Sequence, residues 1–131
     1  MKKLQFAIVL LLAIKSFATP IHLFQELKVA MEEGRRFTIV SHLGTMVGYF
    51  APTSMLYMPK KGDVLEHIVT SHLHFSSHTG TPQYEYVKYT FHADNSATVY
   101  TAAYNPSSFS VLPGGHSIQL VIGKEIEIHT D

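Results

Sequence analysis

The chain of 131 residues contains no cysteine and no tryptophan. The absence of cysteine excludes both a disulfide framework and thiol catalysis, so the fold must be stabilised by burial of apolar side chains. Eight phenylalanines and seven tyrosines supply large side chains for such a core.

Basic residues are scarce. Residues 19–131 carry seven basic and ten acidic side chains, a formal charge of −3 with the histidines neutral. No more than two basic residues are adjacent, as at Lys60-Lys61, so the electrostatic footprint of a nucleic-acid-binding protein is absent. All nine histidines fall in this part. We interpret the histidines as polar residues that strands tolerate. The alternative is that their protonation near pH 5 to 6 changes the charge of the surface.

Only the N-terminus contains a long apolar run. Two lysines precede nine apolar residues at 6–14, and small residues follow at Ser16 and Ala18. This pattern predicts a secretory signal peptide over residues 1–18, cleaved after Ala18. The run is about half of the roughly 20 residues that a membrane-spanning helix needs. We therefore expect an exported protein, periplasmic or secreted, in which residues 19–131 form a single domain without a membrane span.

The segment after the leader has the periodicity of a helix. Thr19 and Pro20 are typical of an N-cap and a first helical turn, and Gly34 is typical of a helix end. The pattern predicts one amphipathic helix over residues 20–33. Its apolar stripe consists of Leu23, Phe24, Leu27, Ala30 and Met31.

Beyond Gly34 the apolar period changes to two, which is typical of strands. Asp94-Asn95-Ser96 has the composition of a hairpin turn. Short turns and no further helix predict an α+β domain, with the N-terminal helix packed on one twisted, largely antiparallel sheet. Curling of that sheet toward a half-barrel is left open. The predicted strands cover residues 37–43, 46–51, 54–58, 65–76, 83–92, 97–104, 109–112, 117–122 and 125–129.

Three short motifs accompany this order of elements. They are Glu33-Gly34-Arg35-Arg36 before the first strand, Tyr89-Thr90-Phe91-His92-Ala93-Asp94-Asn95 in the hairpin, and Ile122-Gly123-Lys124 near the end. Together with the leader, they resemble the VirK family of small exported bacterial proteins. The resemblance implies a role linked to virulence or host interaction, and no enzymatic activity is established for that family.

A histidine group is a candidate metal site. His72 and His74 lie two apart on a predicted strand and so point to one face, and His78 follows in the next turn. Three imidazoles can bind zinc and leave one coordination position open. This makes a metal-binding periplasmic protein or a metal-dependent enzyme one alternative. We favour a plain polar stripe, and we expect no cofactor.

Aromatic and polar residues share one face of the predicted hairpin. Such a face suits a protein or glycan partner, although half-buried tyrosines with hydrated hydroxyls are also common on strands. No Gly-x-Ser-x-Gly nucleophile motif is present. We therefore expect an exported, non-enzymatic binding protein, with a small-ligand carrier as a third hypothesis. The candidate surface consists of Tyr84, Tyr86, Lys88, His92, Tyr100 and Tyr104.

Overall fold

One helix and nine strands make up the described part of the chain. The structure, a computed structural model, describes residues 19–43, 46–77 and 80–131, so the predicted signal peptide lies outside the described residues. Within these ranges, no helix has the length and apolar composition needed to span a bilayer. The elements are β1 (Thr19–Ile21), α1 (Phe24–Glu32), β2 (Phe37–Leu43), β3 (Met46–Phe50), β4 (Leu56–Met58), β5 (His67–Ser76), β6 (Gln83–His92), β7 (Ser96–Tyr104), β8 (His116–Val121) and β9 (Ile126–Thr130).

The strands form two antiparallel sheets. The first has the order β1-β9-β2-β3 and the second the order β4-β5-β6-β7-β8. The predicted α+β architecture and antiparallel pairing are confirmed, but the expected single sheet is divided in two. The division occurs because β9 pairs with β1 and β2 instead of continuing beside β8. Alternation along a strand reports which side is buried, and it does not report which strand lies next to it.

The helix begins later than predicted. Thr19 and Pro20 belong to β1, which pairs with β9 at the edge of the first sheet, where a proline is tolerated. The helix starts at Phe24 and is followed by Gly34, whose φ of 70° allows the left-handed helix end that we predicted.

The predicted strand over residues 109–112 does not form. Phe109 has a positive φ of 55°, which is incompatible with an extended strand. Val111 makes only an isolated bridge to Tyr104.

The core lies between the two sheets and beneath the helix. The helix buries Phe24, Leu27 and Ala30 in it, as the predicted stripe requires, whereas Leu23 is 47% exposed. The two sheets contribute fully buried side chains from their facing sides, such as Ile39 from β2. Further core residues are Ile126 and Ile128 from the first sheet, and Ile68, Tyr89, Phe91, Ala97 and Val99 from the second.

One polar pair crosses this core. Ser41 on β2 is 1% exposed and Tyr89 on β6 is 5% exposed, and their hydroxyl oxygens lie 3.0 Å apart. Burial raises the pKa of Tyr89 above its ordinary value. The phenol therefore stays protonated, and each hydroxyl satisfies the other where water does not reach.

We expect Tyr89→Phe to lower the free energy of unfolding by about 1–3 kcal/mol, because the Ser41 hydroxyl is then buried without a partner. Ser41→Ala should have a similar effect for the same reason. The double variant should lose less than the sum of the two, since no hydroxyl is then left unpaired. Urea unfolding followed by circular dichroism measures all three variants, and strictly additive losses would contradict the pairing.

Asn95 joins the hairpin turn to the helix. Its φ is +66°, a conformation that asparagine adopts more readily than most residues. Its side-chain Oδ1 accepts the backbone N–H of Phe24 at 2.8 Å, a role that the apolar side chain of Leu23 at the N-cap position cannot fill. Its carbonyl accepts the N–H of Ile122 at 3.1 Å. One turn residue therefore contacts both the start of α1 and the residue after β8.

A series at Asn95 separates these contributions. Asn95→Gly keeps the positive φ accessible but removes the acceptor, and we expect a loss of about 0.5–2 kcal/mol in unfolding free energy. Asn95→Ala should lose a further 1–2 kcal/mol or so, because alanine is strained in the left-handed region. Asn95→Asp retains an acceptor oxygen and is the control. In thermal unfolding, Asn95→Asp should be the most stable of the three variants, Asn95→Gly the next and Asn95→Ala the least stable. An Asn95→Gly variant as stable as the parent chain would exclude the capping role.

Candidate functional site

Five of the predicted surface residues lie together on the second sheet. Tyr84 is opposite Tyr104 and Lys88 is opposite Tyr100 in the pairing of β6 with β7, and Tyr86 lies between these two pairs. The core residues of the two strands, Tyr89, Phe91, Ala97 and Val99, occupy the alternate positions. These five side chains are therefore on the outward side of the sheet. We refer to this surface, formed by Tyr84, Tyr86, Lys88, Tyr100 and Tyr104, as the tyrosine face.

The rings of the tyrosine face pack edge to face. The Tyr86 ring centroid lies 6.2 Å from that of Tyr100 and 6.3 Å from that of Tyr104, with interplanar angles of 64° and 82°. Ala102 is the residue opposite Tyr86, and its small side chain leaves room for the ring between its two neighbours. The ammonium of Lys88 lies 6.0 Å from the Tyr100 centroid, at the limit of a cation–π contact.

The tyrosine hydroxyls on this surface are free. Within the described part of the chain the four phenols make no hydrogen bond, and no buried side-chain oxygen or nitrogen there lacks a partner. The hydroxyls therefore face solvent, while the rings are half-buried against one another. Such a surface offers both apolar area and hydrogen-bond donors to a partner.

His92, the sixth predicted residue, lies apart from the tyrosine face. It is six residues from Tyr86 along β6, or roughly 20 Å at the rise of a strand. Its Nε2 lies 2.9 Å from the Thr98 hydroxyl, and its ring centroid is 6.2 Å from that of His67. The sequence correctly put His92 on the same side, but not in the same cluster.

Two phenylalanines that the sequence analysis missed border the tyrosine face. The Phe75 and Phe109 rings lie 5.7 and 5.2 Å from the Tyr84 ring, and both side chains are more than half exposed, at 58% and 57%. Phe75 is directly opposite Tyr84 in the pairing of β5 with β6, which the alternation on β5 could have indicated. Phe109 is in a loop and was wrongly assigned to a strand.

His72 and His74 are brought together on the opposite side of the second sheet, which faces the first sheet. Their rings are stacked with centroids 5.1 Å apart, and the Nε2 of His74 lies 2.8 Å from a carboxylate oxygen of Glu85. His78 lies outside the described residues. Among the residues that the structure describes, no three His, Cys, Asp or Glu side chains form a group able to hold a metal ion.

Two clefts bear on the hypothesis of a small-ligand carrier. One of about 550 Å³ lies along α1 and β1, with Leu23 and Val29 in its lining. The other, of about 400 Å³, lies between β3 and the second sheet, where Gly48 contributes no side chain, and it is lined by Phe50 and His72. Both are open to solvent, so neither is the enclosed apolar cavity that such a carrier would use.

A histidine–carboxylate cluster lies at the pairing of β2 with β9. One carboxylate oxygen of Glu127 lies 3.0 Å from the Nε2 of His42, and the other lies 3.4 Å from the Nε2 of His129. The hydrogen bond with His129, followed by that with His42, lowers the pKa of Glu127. All three side chains are substantially exposed, which limits the strength of the cluster.

The lowered pKa of Glu127 gives a pH prediction. A depressed carboxyl pKa stabilises the fold above the group's ordinary value of 4.5, and this stabilisation is lost as the pH falls through the lower, folded-state value. We therefore expect Glu127→Gln to lower the melting temperature slightly at pH 6–7. The difference from the parent chain should narrow below about pH 4.5. Melting curves across this range provide the test, and a difference that widens on acidification would contradict it.

Comparisons with known proteins support the fold. No protein-family model matches the chain, and no curated protein matches it. The structure is similar to the crystal structure of a VirK family protein from Legionella pneumophila, with a TM-score of 0.72 and 23% sequence identity. The match covers 85% of this chain and 98% of that one. The resemblance inferred from the short motifs is thus confirmed at the level of the fold, and the chain has the fold of a VirK family protein.

Proposed function

We propose that the chain is an exported, non-enzymatic protein that binds another protein through the tyrosine face. Cleavage after Ala18 is part of this proposal and rests on the pattern of the leader. An association with virulence is also part of it and rests on the resemblance to the VirK family, whose fold the chain shares.

The solvent-facing group of tyrosines is the observation that carries the proposal. Aromatic residues are enriched in the centres of protein interfaces because they bury a large area at a low cost in side-chain entropy. The four hydroxyls have no partner within the described chain, so a bound protein can accept hydrogen bonds from them in place of water without breaking a bond within the fold.

The surroundings of the tyrosine face favour a protein over a glycan. Leu73, Phe75 and Phe109 extend it with apolar side chains that are 48–58% exposed. A continuous apolar area of this kind is typical of surfaces that another protein covers. A glycan could stack the C–H face of a sugar on the phenylalanine rings, but an apolar protein side chain would also cover the aliphatic Leu73.

Capture from the cell envelope and from candidate host material tests the proposal. The exported protein, purified from its producing cells, is immobilised, and each captured protein is then purified and titrated against it by calorimetry. We expect Tyr86→Ala and Tyr100→Ala to weaken the interaction at least tenfold each, a loss of about 1.4 kcal/mol or more. Tyr49→Ala is the matched control, because Tyr49 is 74% exposed but lies on β3 of the first sheet.

Equal losses in the control and in the tyrosine-face variants would contradict the proposal, as would binding that none of them changes. Treatment of the captured material separates protein from glycan. Binding that survives protease but is abolished by periodate oxidation would assign the tyrosine face to a glycan.

A further inference from the structure

Phe109 is held in a strained backbone conformation. A positive φ, here 55°, is uncommon for any residue other than glycine and is unusual for a bulky one. The surrounding loop imposes it. The carbonyl of Asn105 accepts the N–H of Phe109, and the N–H of Asn105 donates to the carbonyl of Ser110, both at 2.9 Å. The Asn105 side chain also accepts the N–H groups of Ser107 and Ser108 at 2.9 and 3.1 Å.

Burial does not compensate for this strain. The Phe109 side chain is 57% exposed, and its one ring contact among the described residues is with Tyr84, at 5.2 Å and 19°. The loop therefore holds an apolar ring at the border of the tyrosine face where solvent still reaches it. Strain that local bonds maintain without a packing gain is typical of residues that serve binding.

The outward side of the second sheet also has a one-sided charge. Read from the pairing of β4 to β8, the residues on this side of the described strands include one permanent cation, Lys88, and no aspartate or glutamate. Residues 19–131 as a whole have an acidic excess, with a formal charge of −3. The tyrosine hydroxyls add donors to this side. The surface is therefore complementary to an anionic partner that is rich in acceptors.

We propose that the tyrosine face binds an acidic segment of the partner protein, anchored by an apolar side chain packed on Phe109 and Phe75. This inference rests on the proposed function and specifies the partner's chemistry. Tyr84 and Lys88 are four residues apart, which is about 13 Å along a strand. An extended segment of roughly four or five residues therefore reaches from the apolar anchor to the ammonium, with its carboxylates accepting from the phenols and from Lys88.

A pair of short fluorescent peptides tests this chemistry on the exported protein. The first has two leucines followed by consecutive glutamates, and the second has lysine in place of each glutamate. We expect only the acidic peptide to bind, and we expect added salt to weaken it. Its NMR shift changes should centre on Tyr84 and Lys88. Trigalacturonate and phosphatidylglycerol vesicles serve as the glycan and lipid probes, and tighter binding of either at this surface would overturn the assignment to an acidic peptide.

Substitutions at Phe109 separate binding from structure. Phe109→Ala should weaken the acidic peptide at least tenfold, and Phe109→Tyr should retain binding. Phe109→Gly should lose binding to the same extent while leaving the melting temperature unchanged or higher, because glycine relieves the positive φ. A large drop in melting temperature for Phe109→Gly would make the ring structural and overturn the proposal. Lys88→Gln should weaken binding and reduce its salt dependence, and Tyr49→Ala remains the control.

The two proposals fail in different ways. If tyrosine-face variants weaken the captured partner but the acidic peptide does not bind, the acidic-segment assignment is wrong and the binding function stands. If neither Tyr86→Ala nor Phe109→Ala changes the captured partner's affinity, both proposals are wrong.

Discussion

A single turn residue connects the parts of the chain that the rest of the structure depends on. Asn95 turns the β6–β7 hairpin with a positive φ and accepts the first helical N–H, from Phe24. Its carbonyl accepts the N–H of Ile122, where the chain leaves the second sheet for the first. The hairpin motif and the closing Ile122-Gly123-Lys124 motif therefore meet at one residue. Short motifs that are far apart in sequence can thus accompany one fold, because their backbone groups satisfy one another.

The local elements were predictable from the sequence because they follow from local rules. The alternation of apolar residues predicted β2 and β6 with their observed bounds. The turn composition of Asp94-Asn95-Ser96 predicted the hairpin that joins β6 to β7. The same period separated the core side of β6, with Tyr89 and Phe91, from the side that carries the tyrosines. Which residues share a face of a strand is fixed by geometry alone, so this part of the candidate site was within reach.

The missed features depend on contacts that are distant in sequence. The helix was predicted from Pro20 because a proline suits a first helical turn, but Pro20 pairs with His129 in β1, and the helix receives its N-terminal acceptor from Asn95. The division into two sheets depends on where β9 finds its partners. Phe109 lies beside the tyrosine face only because its loop folds as it does, and the neighbouring residues in the sequence do not indicate its positive φ.

The second sheet separates the side chains that stabilise the fold from those that the proposed binding would use. Tyr89 on β6 has its hydroxyl bonded to Ser41 inside the core, whereas the hydroxyl of Tyr86, on the other side of the same strand, faces solvent. The same residue type is structural on one side and available on the other because the pleat alternates. The four tyrosines of the tyrosine face are not part of the hydrophobic core, so their substitution leaves the core contacts in place. A surface of this kind fits a binding role on a scaffold whose stability is provided elsewhere.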